Sequence, residues 1–205
     1  RSTIYRWVDA GYGGLTNLEL ERKVGFRPRK RKAPRRPTSH SPKRSHGEFL
    51  KLPEERRASR TELDCVIGRN VDVRAVMTLY NLPSHLQLAL LLEEHDCANV
   101  KKGLAAVKDA MPEDMHARWM RTVLTDNGEE FADEDGIGAL AGERIEGGKL
   151  GVRLYYCDPR QSQQKGGCEK NHTEIRQILE KGMFAFDELT GADMAVLMSH
   201  ANSNP

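Results

Sequence analysis

The pattern of hydrophobic and polar positions divides the chain into a polar N-terminal part and a part with regular periodicity. Between residues 62 and 92, three short runs rich in β-branched and other apolar residues alternate with Gly, Asn and Pro turn signals. These runs predict strands over 62–67, 73–80 and 86–92. Because the connections between them are short, the pattern predicts an antiparallel meander.

The periodicity changes to a helical one after residue 97. Val100, Leu104, Val107 and Met111 recur at intervals of three and four, which predicts a helix over 97–111. Further strands are predicted over 121–125 and 152–156, and further helices over 170–180 and from about 187 to 200. The resulting order, βββ-α-β-α-β-α-α, predicts an α/β fold with a mixed sheet and helices on both faces.

Charge is distributed very unevenly along the 205 residues, although the formal net charge is only +2. The segment from Arg22 to Arg44 contains eleven Lys or Arg and no acid. The rest of the chain therefore has 21 Lys and Arg against 30 Asp and Glu, an excess of acids. Four prolines also lie in this segment. Such a segment cannot bury a core, so it predicts either a solvated linker or, as we favour, an arm that binds a polyanion.

Several classes of protein are excluded by composition. No apolar run approaches the 18 residues of a membrane helix, and no signal peptide is recognisable. The cysteines Cys65, Cys97, Cys157 and Cys168 are too scattered for a disulfide framework, so a reducing cytosol is expected. The spacing of Cys157, Cys168 and His172 matches no common zinc site.

Three acids stand at positions where carboxylates have chemical use. Asp64 lies inside the first predicted strand, Asp126 directly follows the strand over 121–125, and Glu169 begins a predicted helix. Acids from two strand positions and one helix start can converge on a hard cation, which prefers oxygen ligands. Each acid alone also has a structural explanation. Asp126 fits a turn, Glu169 fits the first turn of a helix, and Asp64 fits an exposed edge strand.

An ordered set of motifs resembles one family, the bacterial insertion-sequence transposases of family thirty, which carry a retroviral-integrase-type (DDE) catalytic core. The resemblance rests on Arg1 to Trp7, Thr61 to Asp64, Leu124 to Gly128 followed by Glu130-Phe131, Tyr156 to Pro159, Lys165 to His172, Ile175-Arg176, and Leu179 to Gly182. It implies a ribonuclease-H-like mixed sheet with flanking helices, preceded by a helical stub and a basic disordered linker. The implied domains are a helix-turn-helix remnant over 1–20, the linker over 21–58 and the catalytic core over 59–205.

The resemblance also implies a site and an activity. Its acidic triad corresponds to Asp64, Asp126 and Glu169, which would hold two Mg²⁺ or Mn²⁺ ions. The implied reaction is metal-dependent cleavage of a phosphodiester at the ends of a mobile element, followed by strand transfer. The 43 positions between Asp126 and Glu169 are more than in many members of this family.

The expected partner is double-stranded DNA, bound by a homo-oligomer in the bacterial cytoplasm at the nucleoid, and no membrane. The residues expected to contact DNA are Arg22, Lys23, Arg27, Arg29, Lys30, Arg31, Lys32, Arg35, Arg36, Lys165, Asn171 and Arg176. Lys165, Asn171 and Arg176 fit a solvated helix surface equally well. Two alternatives remain open: a catalytically inactive DNA-binding relic, and a ribonuclease-H-like nuclease without strand transfer.

Overall fold

The structure is a computed structural model that describes residues 6–8, 10–14, 40–180 and 182–203. The chain divides into two units, residues 1–36 and 37–205. In the first unit, a short 3₁₀ turn is described at Tyr12–Gly14. Most of the predicted helix-turn-helix remnant and all predicted DNA contacts up to Arg36 lie outside the described residues. Among the described residues, no helix has the length and apolar character needed to cross a bilayer.

The second unit is built on a mixed five-stranded sheet. Its strands are β1 (Thr61–Ile67), β2 (Ala75–Asn81), β3 (Leu86–Leu92), β4 (Val123–Thr125) and β7 (Leu154–Tyr156), in the order β3-β2-β1-β4-β7. The first three form the predicted antiparallel meander, whereas β4 runs parallel to both β1 and β7. The predicted α/β class, a mixed sheet with flanking helices, is confirmed.

Helices cover both faces of this sheet. In chain order they are α1 (His46–Leu50), α2 (Glu54–Ala58), α3 (Cys97–Ala110), α4 (Glu113–Trp119), α5 (Glu134–Leu140), α6 (Gly166–Ile178) and α7 (Gly191–Ala201). One core contains Leu63 and Met77 with Val100 and Leu104 of α3. The core on the opposite face contains Val66 with residues of α6 and α7. Because side chains alternate along a strand, β1 contributes to both cores.

The periodicity did not predict some short elements. Helices α4 and α5 have seven residues each, and the hairpin of β5 (Ile145–Glu146) and β6 (Lys149–Leu150) has two residues a strand. These elements are too short to display a repeating pattern. The predicted 152–156 strand begins two residues later than expected, and the helix predicted over 170–180 begins four residues earlier, at Gly166.

The structure differs from the prediction of a disordered linker over 21–58. From residue 40 onward the chain is described, and it contains a 3₁₀ turn at Pro42–Arg44 followed by α1 and α2. Phe49 of α1 is buried with Leu124 and Tyr155 of the sheet. The second part of the predicted linker is therefore folded, because its few apolar side chains find a core to join.

Arg44, the last cation of the basic segment, is buried rather than solvated. Its guanidinium forms a bidentate pair with the Glu143 carboxylate at 2.6 and 2.7 Å, and both side chains are at most 3% exposed. Glu143 also accepts hydrogen bonds from the backbone N–H groups of Arg153 and Leu154. A buried cation needs such a partner, so Arg44 fastens the N-terminal segment to the chain that enters β7.

Substituting Arg44 tests this fastening. Arg44→Ala leaves the Glu143 charge buried without its cation, so we expect the free energy of unfolding to fall by about 3 kcal/mol. Urea denaturation measures the change. Arg118→Ala is the matched control, because Arg118 forms an ion pair with Asp114 in which both side chains are exposed. Equal stability of the two variants would contradict this account of Arg44.

Helix α6 is seated on the sheet by a close backbone approach and a buried carboxylate. A Cβ at Gly167 would overlap the Tyr80 ring, so the helix reaches β2 only because this residue has no side chain. The fully buried Glu62 of β1 accepts a 2.7 Å hydrogen bond from the backbone N–H of Cys168 and pairs with Arg60 at 2.8 Å. A carboxylate at a helix N-terminus satisfies free N–H groups and the helix dipole.

This seating predicts different effects of alanine at two adjacent glycines. Gly167→Ala forces the Tyr80 ring or the helix to move, and we expect the free energy of unfolding to fall by about 1–3 kcal/mol. At Gly166 an added Cβ meets nothing within 4 Å, so Gly166→Ala should keep or slightly raise stability. Urea unfolding of both variants makes the comparison, and a stable Gly167→Ala protein would refute the close approach.

Candidate active site

Asp64 lies in the middle of β1 on the face that α6 covers. Its side chain is 17% exposed, and its Oδ1 accepts a 2.8 Å hydrogen bond from the backbone N–H of Cys65. Its Oδ2 lies 2.8 Å from Nζ of Lys165. Asp64 therefore lies inside a strand, as predicted, and its carboxylate contacts a lysine rather than open solvent.

Asp126 reaches the same place because β4 runs parallel to β1. The two strands pair Thr61 with Val123 and Glu62 with Leu124, and continuing that register brings Asp126 beside Asp64. The Asp126 carboxylate is 45% exposed, accepts a 3.0 Å hydrogen bond from the Gly128 N–H, and lies 3.6 Å from Nζ of Lys165. Burial raises the pKa of Asp126 above its ordinary value, against the opposing effect of the Lys165 ammonium.

Lys165 bridges the two carboxylates, which corrects its expected place on the protein surface. It is 2% exposed, and its ammonium also lies 3.4 Å from the carbonyl oxygen of Leu63. Burial alone would lower the pKa of Lys165, but the charges of Asp64 and Asp126 outweigh it and the pKa lies above its ordinary value. The lysine is buried because two acids neutralise it, so it forms part of the site's interior.

Glu169 stands on the first turn of α6, one residue after the Cys168 amide that Glu62 holds. Its side chain is exposed, and in the part of the chain that the structure describes it makes no hydrogen bond or ion pair with Asp64 or Asp126. The structure therefore brings two of the three predicted acids together around Lys165. It places the third on the adjacent helix turn, open to solvent.

His172 was not predicted as a site residue but lies against Asp64. Its Nδ1 is 3.9 Å from Asp64 Oδ2, and its Nε2 is hydrogen bonded to Thr78 Oγ1 at 2.9 Å. Burial lowers the pKa of His172 below its ordinary value. His172 follows Glu169 by three residues on one helix face, a spacing that the sequence contained but that carried no chemical signal by itself.

Arg176 of α6, predicted to contact DNA, has a structural partner in this protein. Its Nη2 donates a 2.6 Å hydrogen bond to the carbonyl oxygen of Ile67, and its guanidinium lies 5.9 Å from the centre of the Phe186 ring. Asn171, another predicted contact, is partly exposed on the same helix. Their role towards DNA stays a prediction.

The donor set of this site fits a hard divalent cation. Asp64 and Asp126 contribute carboxylate oxygens that already converge on one positive charge, and Asp126 is open to solvent. Mg²⁺ and Mn²⁺ prefer such oxygen ligands and retain several waters, which a half-open site accommodates. Glu169 is exposed on the first turn of α6, and its part in this site stays a prediction. Chemically, the arrangement suits binding a cation between the middle of β1 and the carboxyl end of β4.

Comparison with known proteins gives relatives of one kind. No protein-family model matches the chain. The transposase for insertion sequence element IS4351 of Bacteroides fragilis is 27% identical over 217 residues, which cover 99% of this chain and 58% of that protein. The transposase for insertion sequence element IS1086 of Cupriavidus metallidurans is 30% identical over 101 residues, covering 49% of this chain and 27% of that protein. The chain thus spans little more than half of the longer match.

Two similar solved structures concern retroviral proteins. A chain of the simian T-cell lymphotropic virus intasome, in complex with PP2A regulatory subunit B56 gamma, has a TM-score of 0.49 and 14% identity, over 71% of this chain and 47% of that one. The catalytic core domain of BIV integrase has a TM-score of 0.45 and 17% identity, over 71% of this chain and 81% of that one. The motifs noted in the sequence and the match to the Bacteroides protein along nearly the whole chain agree: this chain is similar to the transposases of bacterial insertion sequences.

Proposed function

We propose that this chain carries the metal-dependent DNA cleavage and strand-transfer centre of a DDE-type transposase. Asp64, Asp126 and Glu169 are the proposed catalytic residues and the ligands of two Mg²⁺ or Mn²⁺ ions. The substrate is double-stranded DNA at the ends of an insertion sequence and at its target. The kinship with insertion-sequence transposases supports this class of substrate.

One observation carries the proposal: two carboxylates 62 positions apart contact the same buried ammonium. Burying acids together is unfavourable unless a positive charge offsets them. Bringing these two side chains to one point therefore lowers the free energy of unfolding that the fold would otherwise have. A purely structural role does not need Asp126 to remain 45% exposed. An accessible carboxylate beside a buried one suits a site that receives a cation and a substrate from solvent.

The residues around the pair have definable roles. Divalent ions bound here supply activation of the attacking oxygen and stabilisation of the leaving one. The Gly128 N–H fixes the orientation of the Asp126 carboxylate, and the Cys65 N–H fixes that of Asp64. Glu62 holds the N-terminus of α6, the helix that carries Glu169, against β1. Lys165 keeps the two carboxylates together before a divalent ion is bound.

DNA binding is assigned to the basic residues from Arg22 to Arg36, with Asn171 and Arg176 near the proposed catalytic residues. The nine cations from Arg22 to Arg36, with no acid between them, provide a sequence-independent attraction to phosphates. We also propose the domain division into residues 1–20, 21–58 and 59–205, with residues 40–58 folded onto the last of these, and a homo-oligomer that holds two DNA ends. As a protein that acts on DNA, it would work in the bacterial cytoplasm at the nucleoid.

A second candidate, a catalytically inactive DNA-binding relic, is favoured by one observation. The Lys165 ammonium neutralises Asp64 and Asp126 without any metal, and the Glu169 side chain contacts neither acid among the described residues. A protein that has lost catalysis would retain this arrangement for stability alone. The two candidates differ in whether DNA cleavage requires a divalent ion and Asp126.

Asp126→Asn tests the enzyme directly. The substitution preserves the side chain's shape and removes its charge, so we expect Mg²⁺-dependent nicking of a labelled duplex bearing the element's ends to fall by roughly 100-fold or more. DNA binding, followed by gel mobility shift, should be unchanged. A 3′-hydroxyl end supplied with a target duplex separates strand transfer from simple hydrolysis.

The control for this experiment is Asp114→Asn, which removes an exposed acid of α4 outside the proposed site. It should cleave like the unsubstituted protein. Cleavage that persists without a divalent ion, or that is equal in Asp126→Asn, would rule out the proposed centre. Binding without any cleavage in the unsubstituted protein would identify the relic.

Lys165→Met tests whether the ammonium occupies a cation position. Methionine fills similar space without charge, so the two carboxylates are left to repel each other, and we expect stability without divalent ions to fall by up to about 3 kcal/mol. Added Mg²⁺ should then raise the Tm of Lys165→Met more than that of the unsubstituted protein. Combining Lys165→Met with Asp126→Asn should abolish this response, whereas equal shifts in all three proteins would exclude a cation site.

A further inference from the structure

A second group of metal-ligating side chains lies beside the proposed catalytic residues. Cys65, His95 and Glu130 each offer one ligand atom, and these three atoms lie within 4.8 Å of one another. Cys65 neighbours Asp64 in β1, His95 precedes α3, and Glu130 belongs to the 3₁₀ turn Glu129–Phe131. We call this group the Cys65–His95–Glu130 cluster.

Two of the three ligand atoms of the cluster already lie in contact with each other. His95 Nε2 lies 3.0 Å from Glu130 Oε1, and this contact with the carboxylate raises the pKa of His95 above its ordinary value. The imidazole nitrogen and the carboxylate oxygen are both ligands that a transition-metal ion accepts, and both lie within 4.8 Å of the Cys65 sulfur.

The three side chains are held in position by the backbone around them. Leu63 and Cys65 lie on the α3 face of β1, opposite Asp64. His95 is fixed by its backbone N–H, which donates to the carbonyl oxygen of Val73 at 3.2 Å, and by the following Asp96, which caps α3. Glu130 folds back over Gly128, where a Cβ would overlap its carboxylate. Binding of an ion would therefore require little movement of these three side chains.

We propose that the Cys65–His95–Glu130 cluster is a binding site for a transition-metal ion of the Zn²⁺ class. Sulfur, imidazole nitrogen and one carboxylate form a borderline-soft donor set, which Mg²⁺ and Ca²⁺ do not favour. Ligand atoms around a tetrahedral Zn²⁺ stand about 3.5 Å apart, given bond lengths of 2.0–2.3 Å. The present separations need only small side-chain rotations to reach that spacing. A water or another small ligand completes the fourth position.

This site is separate from the Asp64–Asp126 pair and independent of the proposed catalytic function. It uses the other face of β1 and different donor chemistry. Its effect on the fold follows from its ligands: an ion there joins β1, the start of α3 and the turn that follows Asp126. The turn Asp126 to Gly128 would then be braced from Glu130, as well as by the Asp126–Gly128 hydrogen bond.

Titration with Co²⁺, a spectroscopic substitute for Zn²⁺, tests the site. We expect one equivalent to bind with tetrahedral d–d bands and a thiolate-to-cobalt charge-transfer band, all removed by added Zn²⁺. Cys65→Ser should abolish the charge-transfer band and weaken binding at least tenfold. His95→Gln should weaken binding to a similar degree while retaining the thiolate ligand.

Two controls separate this site from its surroundings. Cys97→Ser changes another partly buried cysteine and should leave the cobalt spectrum unaltered. Asp126→Asn removes a proposed catalytic ligand and should also leave the cobalt spectrum unaltered. The outcome for the proposed catalytic site can therefore be distinguished from the outcome for this cluster. Thermal unfolding without metal checks that each variant is folded. The absence of a charge-transfer band, or its persistence in Cys65→Ser, overturns the proposal.

Discussion

The site depends on one electrostatic constraint: two carboxylates share one buried ammonium. Lys165 can be 2% exposed only because Asp64 lies 2.8 Å and Asp126 3.6 Å from its Nζ. The pair in turn needs β4 to run parallel to β1 in a register that brings Asp126 beside Asp64. The pairing of β1 with β4 and the placement of the segment that carries Lys165 therefore depend on each other. Moving any one of these three elements would leave a charge buried without its partner.

A further buried carboxylate, Glu62, links this arrangement of charges to helix α6. Glu62 and Asp64 are two residues apart in β1 and face the same side, so one strand both holds the N-terminus of α6 and presents an acid beside it. Gly167 allows the approach, and Glu62 supplies the acceptor that the free helix N–H groups require. A helix seated in this way carries Lys165, Glu169 and His172 into or beside the site together, which explains how one short segment contributes three charged or titratable groups.

The sequence predicted the parts of this structure that have a local cause. The three meander strands and α3 repeat their apolar residues often enough to be recognised, and Asp126 was placed correctly because it follows a buried strand. Lys165 was expected on the surface because the partners that bury it are 101 and 39 positions away. The short helices α4 and α5 lack enough turns for periodicity, and the folding of residues 40–58 depends on Glu143 and Tyr155, which no local pattern reveals.

The alternation of side chains along β1 separates two kinds of chemistry onto the two faces of the sheet. Successive residues of a strand face opposite sides, so the adjacent Asp64 and Cys65 present a hard oxygen to one layer of the fold and a soft sulfur to the other. Each is then met by groups suited to it: Asp126 and Lys165 on one side, His95 and Glu130 on the other. A register shift of one residue would exchange the two environments, burying a carboxylate against α3 and a thiol between Lys165 and His172. The pairing of β1 with β2 and β4 therefore determines both the packing of the sheet and the chemistry available on each of its faces.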